Sequence, residues 1–341
     1  MAGIPTLGDV ARAAQVHPGT ASRALNNETR SKVSPATVAR VLAAAERLGY
    51  QPNVVARGLR RQSSQTVGVL VPDLTNPFFP PILRGIEEAL APRGFTAFIA
   101  NTDNDESKER RAFEAFRSRQ VDGFLIATAK REPGIIREAH ALGIPTVLVN
   151  RGTDIQLFPS VKPDDFSGVS QIVEHLVGLG HRSIAHIAGP QNNTNGYERA
   201  TGFRSLVVEH GLEAMECPVL VSDAFDIRSG ALGAQQILHH YPRVTAIFAA
   251  NDLMAIGALG VIREAGLDCP GDISVVGFND MFLAGAIAPS LTTVRVPGNL
   301  MGTSAANRLL DEIGGNRAKE NVVVPVELVV RESSGAPSSR S

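Results

Sequence analysis

The chain has 341 residues, 43% apolar and 20% charged, with a mean hydropathy of +0.02, which is too long for one ordinary core and predicts two or three domains of a soluble globular protein. No apolar run reaches the length of a membrane span and the N-terminus lacks the basic-then-apolar layout of a secretory signal, so the expected location is the cytoplasm. The formal charge of −1 hides an asymmetry: residues 1–62 carry nine basic side chains against three acidic, a net +6, leaving −7 for the rest, and that pattern points to a nucleic-acid partner at the N-terminus.

The first elements are short helices. Leu7, Val10, Ala11 and Ala14 fall at helical spacing, with Thr6 as N-cap and Asp9 completing a capping box. After Gln15-Val16 a second helix opens at Pro18, where a missing N–H costs nothing, and runs through Ala21, Ala24 and Leu25. A third begins at Ser34-Pro35, carries the stripe Val38, Val41, Leu42, Ala45 and Leu48, and stops at Gly49. Three such helices make one small all-α helix-turn-helix core over residues 1–51. Pro52-Asn53 then starts a basic segment, Asn53–Arg61, weakened by Gly58 and marginal as an isolated helix, followed by the polar stretch Gln62–Thr66.

From Val67 the period changes. Apolar runs at 67–71, 96–100, 123–127 and 146–149 alternate with helical patterns at 81–90, 108–119 and 134–142. The rhythm restarts with a helix at 168–179, then strands at 184–187, 219–221, 246–249 and 273–276 separated by helices at 200–210, 229–239 and 253–265. Two doubly wound parallel-sheet units in tandem is the expected architecture, and ligands of such sheets sit at the carboxyl ends of the strands, here in the cleft between the units.

The motifs that follow strands fit this placement. Asp73-Leu-Thr-Asn76-Pro-Phe-Phe79 offers hydrogen bonds and an aromatic face, although Phe78 reads as a core residue; Asn150-Arg151 ends a strand; Phe225 lies in Asp223–Gly230; Asn251-Asp252 and Gly277-Phe-Asn279-Asp280 end two more strands. Asp165, Asp252 and Asp280 read as helix N-caps. No dinucleotide fingerprint, phosphate loop, nucleophile elbow or zinc-protease motif is present: Gly230-Ala-Leu-Gly and Gly257-Ala-Leu-Gly lack the fingerprint spacing. His181 and His186, and the adjacent pair His239-His240, have poor metal geometry, and Cys217 and Cys269, each before a proline, read as structural thiols. Neither an enzyme, a metal nor a cofactor is expected.

Thr6-Leu-x-Asp-Val-Ala, Val16-x-x-x-Thr20-x-Ser22-Arg23-Ala-Leu-Asn26, Gly49-Tyr50-x-Pro52-Asn53 and Ala56-Arg57-x-Leu59 together resemble the lactose/galactose repressor family of bacterial transcription regulators, and with Tyr197-Glu198-Arg199-Ala-Thr-Gly202 and the strand-end motifs the resemblance runs from Thr6 to Glu332. It implies a body like that of the periplasmic binding proteins, divided into an N-subdomain (67–161 and 294–320) and a C-subdomain (162–293 and 321–332), with crossings near Val161, Thr293 and Asn321, a helix at 300–313, a single strand at 322–330 and a polar tail at 333–341. It further implies that residues 52–66 form a hinge that folds on DNA, with Leu59 as a minor-groove wedge and Arg57 and Arg60 on phosphates. Arg23 is the expected reader of guanine, with His17 and Thr20 the other side chains left to read sequence because Pro18-Gly19 departs from the two polar readers of the best-known member; Thr20, Ser22 and Asn26 are better assigned to phosphates or caps. Asp73, Asn76, Phe79, Asn150, Arg151, Arg199, Phe225, Asn251 and Asn279 are the expected effector-binding residues. Asn279 stands where well-studied members have aspartate, which removes a charge that repels anions, so the expected effector is a sugar or sugar acid. The expected partners are pseudo-palindromic operator DNA, on which the protein would be nucleoid-associated, and a second copy of the chain. The tail lacks the leucine heptads of tetrameric relatives.

Overall fold

The computed structural model describes residues 5–26, 29–50, 63–132, 134–316 and 320–338. The expected hinge residues Arg57, Leu59 and Arg60 lie outside the described residues. The chain forms two compact units, 1–64 and 65–341.

In the first unit, helices α1 (Leu7–Ala13), α2 (Pro18–Leu25) and α3 (Pro35–Leu48) start at local capping signals. The Thr6 hydroxyl accepts from Asp9 N while the Asp9 carboxylate accepts from Thr6 N, the reciprocal capping box. Ser34 caps α3 through Thr37 N, and Gly49 ends it at φ 63°. The core is small: Val10, Ala11, Ala14, Ala21, Ala24, Val41, Ala44 and Ala45. The expected stripe on α3 is therefore shifted. Ala44 is buried, whereas Leu42 and Leu48 are 38% and 37% exposed, because short helices that approach closely leave room at the contact for alanine and valine but not for leucine.

The second unit contains two six-stranded sheets. The first has order β11-β5-β4-β3-β1-β2, with β1 at Thr66–Val71, β2 at Thr96–Asn101, β3 at Gly123–Ile126, β4 at Thr146–Val149, β5 at Ser160–Pro163 and β11 at Val322–Val324, all parallel. The second has order β12-β10-β9-β8-β6-β7, with β6 at Ile184–Ala188, β7 at Val219–Val221, β8 at Ala246–Ala249, β9 at Ser274–Asn279, β10 at Thr292–Arg295 and β12 at Glu327–Val329; only β12 runs antiparallel, against β10. Helices α4 (Phe79–Leu90), α5 (Glu106–Ser118) and α6 (Gly134–Ala141) belong to the first half, and α7 (Asp165–Gly178), α8 (Thr194–Glu209), α9 (Ile227–His240) and α10 (Asp252–Glu264) to the second, while α11 (Gly298–Ile313) returns to pack on α4. The central strands read as unbroken apolar runs because both faces are covered. Among the described residues no helix is long and apolar enough to cross a membrane.

The chain passes between the sheets later than expected. β5 still pairs in the first sheet through Pro163, and β10 in the second through Arg295. The single strand expected at 322–330 is two strands in different sheets, separated at Pro325-Val326; a proline has no N–H for the ladder and suits such a break. The start of the expected tail is also built in. Ser333 is fully buried, its Oγ donating to Val275 O at 2.6 Å and accepting from Thr292 N at 2.9 Å.

The rejected Gly-Ala-Leu-Gly repeats have a packing role. A Cβ on Gly230 would stand 2.0 Å from Met254 O, and one on Gly257 would stand 2.0 Å from Ile227 O. These two glycines let the backbones of α9 and α10 touch, which fixes the loops at both N-termini on one side of the second sheet.

Candidate functional site

The loops at the carboxyl ends of strands from both sheets meet in one cleft. It is lined after β1 by Pro72, Asp73, Asn76, Phe78 and Phe79, and after β2 by Asn104. The β4 end contributes Asn150 and Arg151; α8 contributes Asn195 and Arg199; the loop after β7 contributes Ala224, Phe225 and Asp226; Asn251 and Asn279 follow β8 and end β9. All nine residues expected at an effector site thus face one space. Asn104 and Asn195 were not anticipated. Asn195 lies in the first turn of α8, which starts at Thr194 rather than at 200 because the Asn193 side chain caps it through Gly196 N; the run Asn192-Asn193-Thr194-Asn195-Gly196 carries that signal.

Arg199 is locked in place. Its Nε donates to Asp165 Oδ1 at 2.7 Å, Nη1 donates to Ala250 O at 2.6 Å, and the guanidinium lies 3.6 Å from the centroid of the Phe278 ring. Asn195 Nδ2 donates to the other Asp165 oxygen at 3.2 Å. Burial pushes the Asp165 carboxyl up while the Arg199 charge and hydrogen bond hold it down. Asp165 is therefore no cap: Asp164 caps α7 through Ser167 N. Likewise Asn251 caps α10, and the Asp252 carboxylate accepts from Met281 N at 2.7 Å and from the Thr293 hydroxyl, tying α10 to the end of β9. Burial pushes the Asp252 carboxyl up to about 7. Asp280 bridges Arg295 at 2.7 Å and Arg331 at 2.6 Å instead of capping a helix. In each case a tertiary partner outcompetes the local backbone N–H that the sequence suggested.

The lining residues differ in what remains for a ligand. Asn251 is engaged at both ends, accepting from Met254 N and donating to Phe225 O. Asp73 accepts from Thr75 N and Oγ1, and Asn76 Oδ1 accepts from Phe78 N. By contrast Asn150 Oδ1, Arg151 Nε, Asn195 Oδ1 and Asn279 Oδ1 are buried side-chain atoms with no hydrogen-bond partner. Asn150 and Asn279 hold φ values of 66° and 117°, and such left-handed residues collect where a binding loop must aim a side chain. Phe79 is buried against Phe78, and Phe225 lies half-exposed across Gly189 with Arg151 5.9 Å from its ring centroid.

The first turn of α8 is fastened to the other half of the unit. Gly152 N donates to Thr194 Oγ1 at 3.0 Å, Asn195 Nδ2 to Asn150 O at 3.1 Å, and Lys162 pairs with Glu198 at 2.6 Å. The Arg131 guanidinium sits 3.7 Å from the Tyr197 ring centroid. The cleft is thus a clamp whose two jaws touch through α8.

In the first unit, α2 buries Ala21 and Ala24 and leaves His17, Pro18, Gly19 and Arg23 exposed, with Thr20 and Ser22 half-buried. His17 is the N-cap, its Nδ1 accepting from Gly19 N at 3.1 Å, so only Nε2 faces outward to a partner. The Arg23 side chain makes no hydrogen bond or ion pair among the described residues, and Asn26 is the C-cap. No cluster of His, Cys, Asp or Glu among the described residues is placed to hold an ion. His186 is a core residue, stacked on Phe248 at 4.1 Å, its Nδ1 within 2.9 Å of Phe248 O, with burial pushing its pKa down to about 3.

Two family models match the chain: "Bacterial regulatory proteins, lacI family" over residues 6–53 and "Periplasmic binding proteins and sugar binding domain of LacI family" over residues 64–332. The ribose operon repressor of Halalkalibacterium halodurans is 33% identical over 96% of this chain and 97% of its own. Among solved structures, the lac repressor dimer bound to operator and an anti-inducer aligns with a TM-score of 0.88 at 30% identity, covering 98% of this chain and all of that one. A complex of the regulator CelR with cellobiose aligns at 0.74 and 34% identity over 97% of this chain and all of that one.

Proposed function

The chain belongs to the LacI family of bacterial regulatory proteins, and from that membership we propose that this DNA-binding transcription regulator is a repressor controlled by a small polyhydroxylated effector seated in the cleft. The observation that carries the effector reading is that four of the residues lining one cleft, Asn150, Arg151, Asn195 and Asn279, each keep a buried polar atom without a partner. Each such group left unpaired costs about 1–3 kcal/mol. Hydroxyl groups both donate to amide oxygens and accept from a guanidinium, and the Phe225 ring offers a face for the apolar side of a sugar ring. Sugar-bound relatives support the same class.

The effector would act by linkage. Asn150 and Arg151 lie on one jaw, and Asn195, Arg199, Phe225 and Asn279 on the other, so a ligand that bonds both favours the arrangement in which the jaws meet and shifts the population by its differential affinity. On DNA the regulator is read as a homodimer that presents α2 of each copy to one half of a pseudo-palindromic operator, with Arg23 toward the major groove and Thr20, Ser22 and the His17 edge beside it. Its place is the cytoplasm, on the nucleoid when bound. A mobility-shift assay with genomic fragments at physiological salt, with and without sugars, tests this: the expected result is a preferred site whose occupancy changes with one sugar class, and no preference over random DNA sinks the regulator reading.

A further inference from the structure

Resting on the effector reading above, we infer that the natural effector carries one carboxylate, seated on Arg151, so that the ligand class is a sugar acid. The cleft holds two guanidinium groups and, in its depth, one carboxylate. Arg199 takes that carboxylate, Asp165, at 2.7 Å. Arg151 is 7% exposed, makes no hydrogen bond or ion pair among the described residues, and leaves its Nε buried without an acceptor. Two further aspartates line the cleft, but Asp226 is exposed and caps α9 through Ser229 N, while Asp73 is only half-buried and turns back onto Thr75. Glu109, whose charge also reaches Arg151, binds the Thr128 hydroxyl, and burial pushes its carboxyl up.

The side chains around Arg151 that remain free for a ligand are neutral. Asn150, Asn195 and Asn279 each keep a buried oxygen without a donor, which calls for hydroxyl donors on the ligand and supplies no charge to balance the guanidinium. Burial and the neighbouring Arg199 push the Arg151 pKa down to about 10, so the group stays cationic at neutral pH and its isolation is a standing desolvation cost. A ligand with several hydroxyls and one carboxylate meets both demands, since a carboxylate accepts from a guanidinium with two parallel bonds. A phosphate ester brings a second negative charge for which the cleft holds no free cation among the described residues. A neutral sugar brings no charge to the guanidinium.

The test is a thermal-shift and calorimetric series on the full-length protein at matched ionic strength, using D-glucuronate, D-galacturonate, D-gluconate and D-galactonate beside D-glucose, D-galactose and glucose 6-phosphate. The expected result is binding by at least one acid, about tenfold or more tighter than by its neutral counterpart. Arg151→Gln levels the acid and its counterpart, and Arg151→Lys restores part of the preference; far-UV circular dichroism and a cooperative thermal transition without ligand report that both variants fold. Equal or tighter binding of a neutral hexose, tighter binding of the phosphate ester, or an acid preference that survives Arg151→Gln overturns the carboxylate assignment and leaves the sugar reading standing. No response to any member of the series overturns the effector reading along with it.

Discussion

Asp165 and Arg199, 34 residues apart, form a buried ion pair at 2.7 Å with side chains 1% and 3% exposed. The pair joins the start of α7 to the middle of α8, and through Arg199 Nη1 to the end of β8 at Ala250. One guanidinium thus orients three strand-end loops around the cleft, and ligand binding and stability become inseparable at this position.

Arg199→Ala is therefore expected to do more than blunt an effector response. It leaves Asp165 buried without its counter-charge, and a loss of about 3–5 kcal/mol is expected for breaking such a pair. Urea denaturation of Arg199→Ala, Asp165→Asn and the double variant measures the coupling, with the double variant more stable than the sum of the singles predicts. Asn279→Ala, by contrast, removes an unpartnered oxygen; it should keep stability within about 1 kcal/mol and operator binding intact while losing the effector response. An unchanged response there removes Asn279 from the site.

The Asp252 carboxyl, raised to about 7 from the ordinary 3.8, binds protons more tightly in the folded state than in the unfolded one. Stability from this group is therefore fully present below the unfolded value and falls as pH rises toward 7, then levels off. Asp252→Asn keeps a neutral acceptor for Met281 N and should flatten that slope. Denaturation midpoints at pH 5 and pH 8 read this directly: parallel pH profiles for the variant and the parent contradict it.

The close approach of α9 and α10 makes a paired prediction. Gly257→Ala places a methyl 2.0 Å from Ile227 O and should cost about 1–3 kcal/mol through backbone displacement. Gly260, three residues along the same helix, has nothing within 4 Å of an added Cβ, and Gly260→Ala should stabilise by up to about 1 kcal/mol through helix propensity. Opposite shifts in Tm are expected.

Arg23→Ala tests the DNA-reading helix. Its side chain is exposed and unbonded among the described residues, so folding should be unaffected, while discrimination among sites falls by about 1–3 kcal/mol. Salt-sensitive binding to random DNA should persist, because phosphate contacts by other basic residues supply it. A variant that keeps its site preference shows that base reading lies elsewhere on α2.

Much of the architecture was readable along the chain. The changes of hydrophobic period located most helix and strand cores among the described residues, though not β5 or β10, while α11 and the 322–330 stretch came from the family resemblance; Thr6-Asp9, Ser34-Pro35 and Gly49 marked helix ends through bonds made within three or four residues, and the polar residues that follow strands fell in one cleft because parallel winding sends all such loops to the same side. Those signals are local or topological, and one sequence suffices for them. The tertiary structure decided the rest: that Asp165, Asp252 and Asp280 bond residues 34, 29 and 51 positions away rather than their own helix N-termini, that the strand expected at 322–330 divides between two sheets, that Ser333 is buried, and that Arg151 makes no ion pair among the described residues and keeps its Nε without an acceptor. A side chain's strongest partner is set by which distant atoms the folded backbone brings within about 3 Å, and that distance is fixed by packing, not by spacing along the chain.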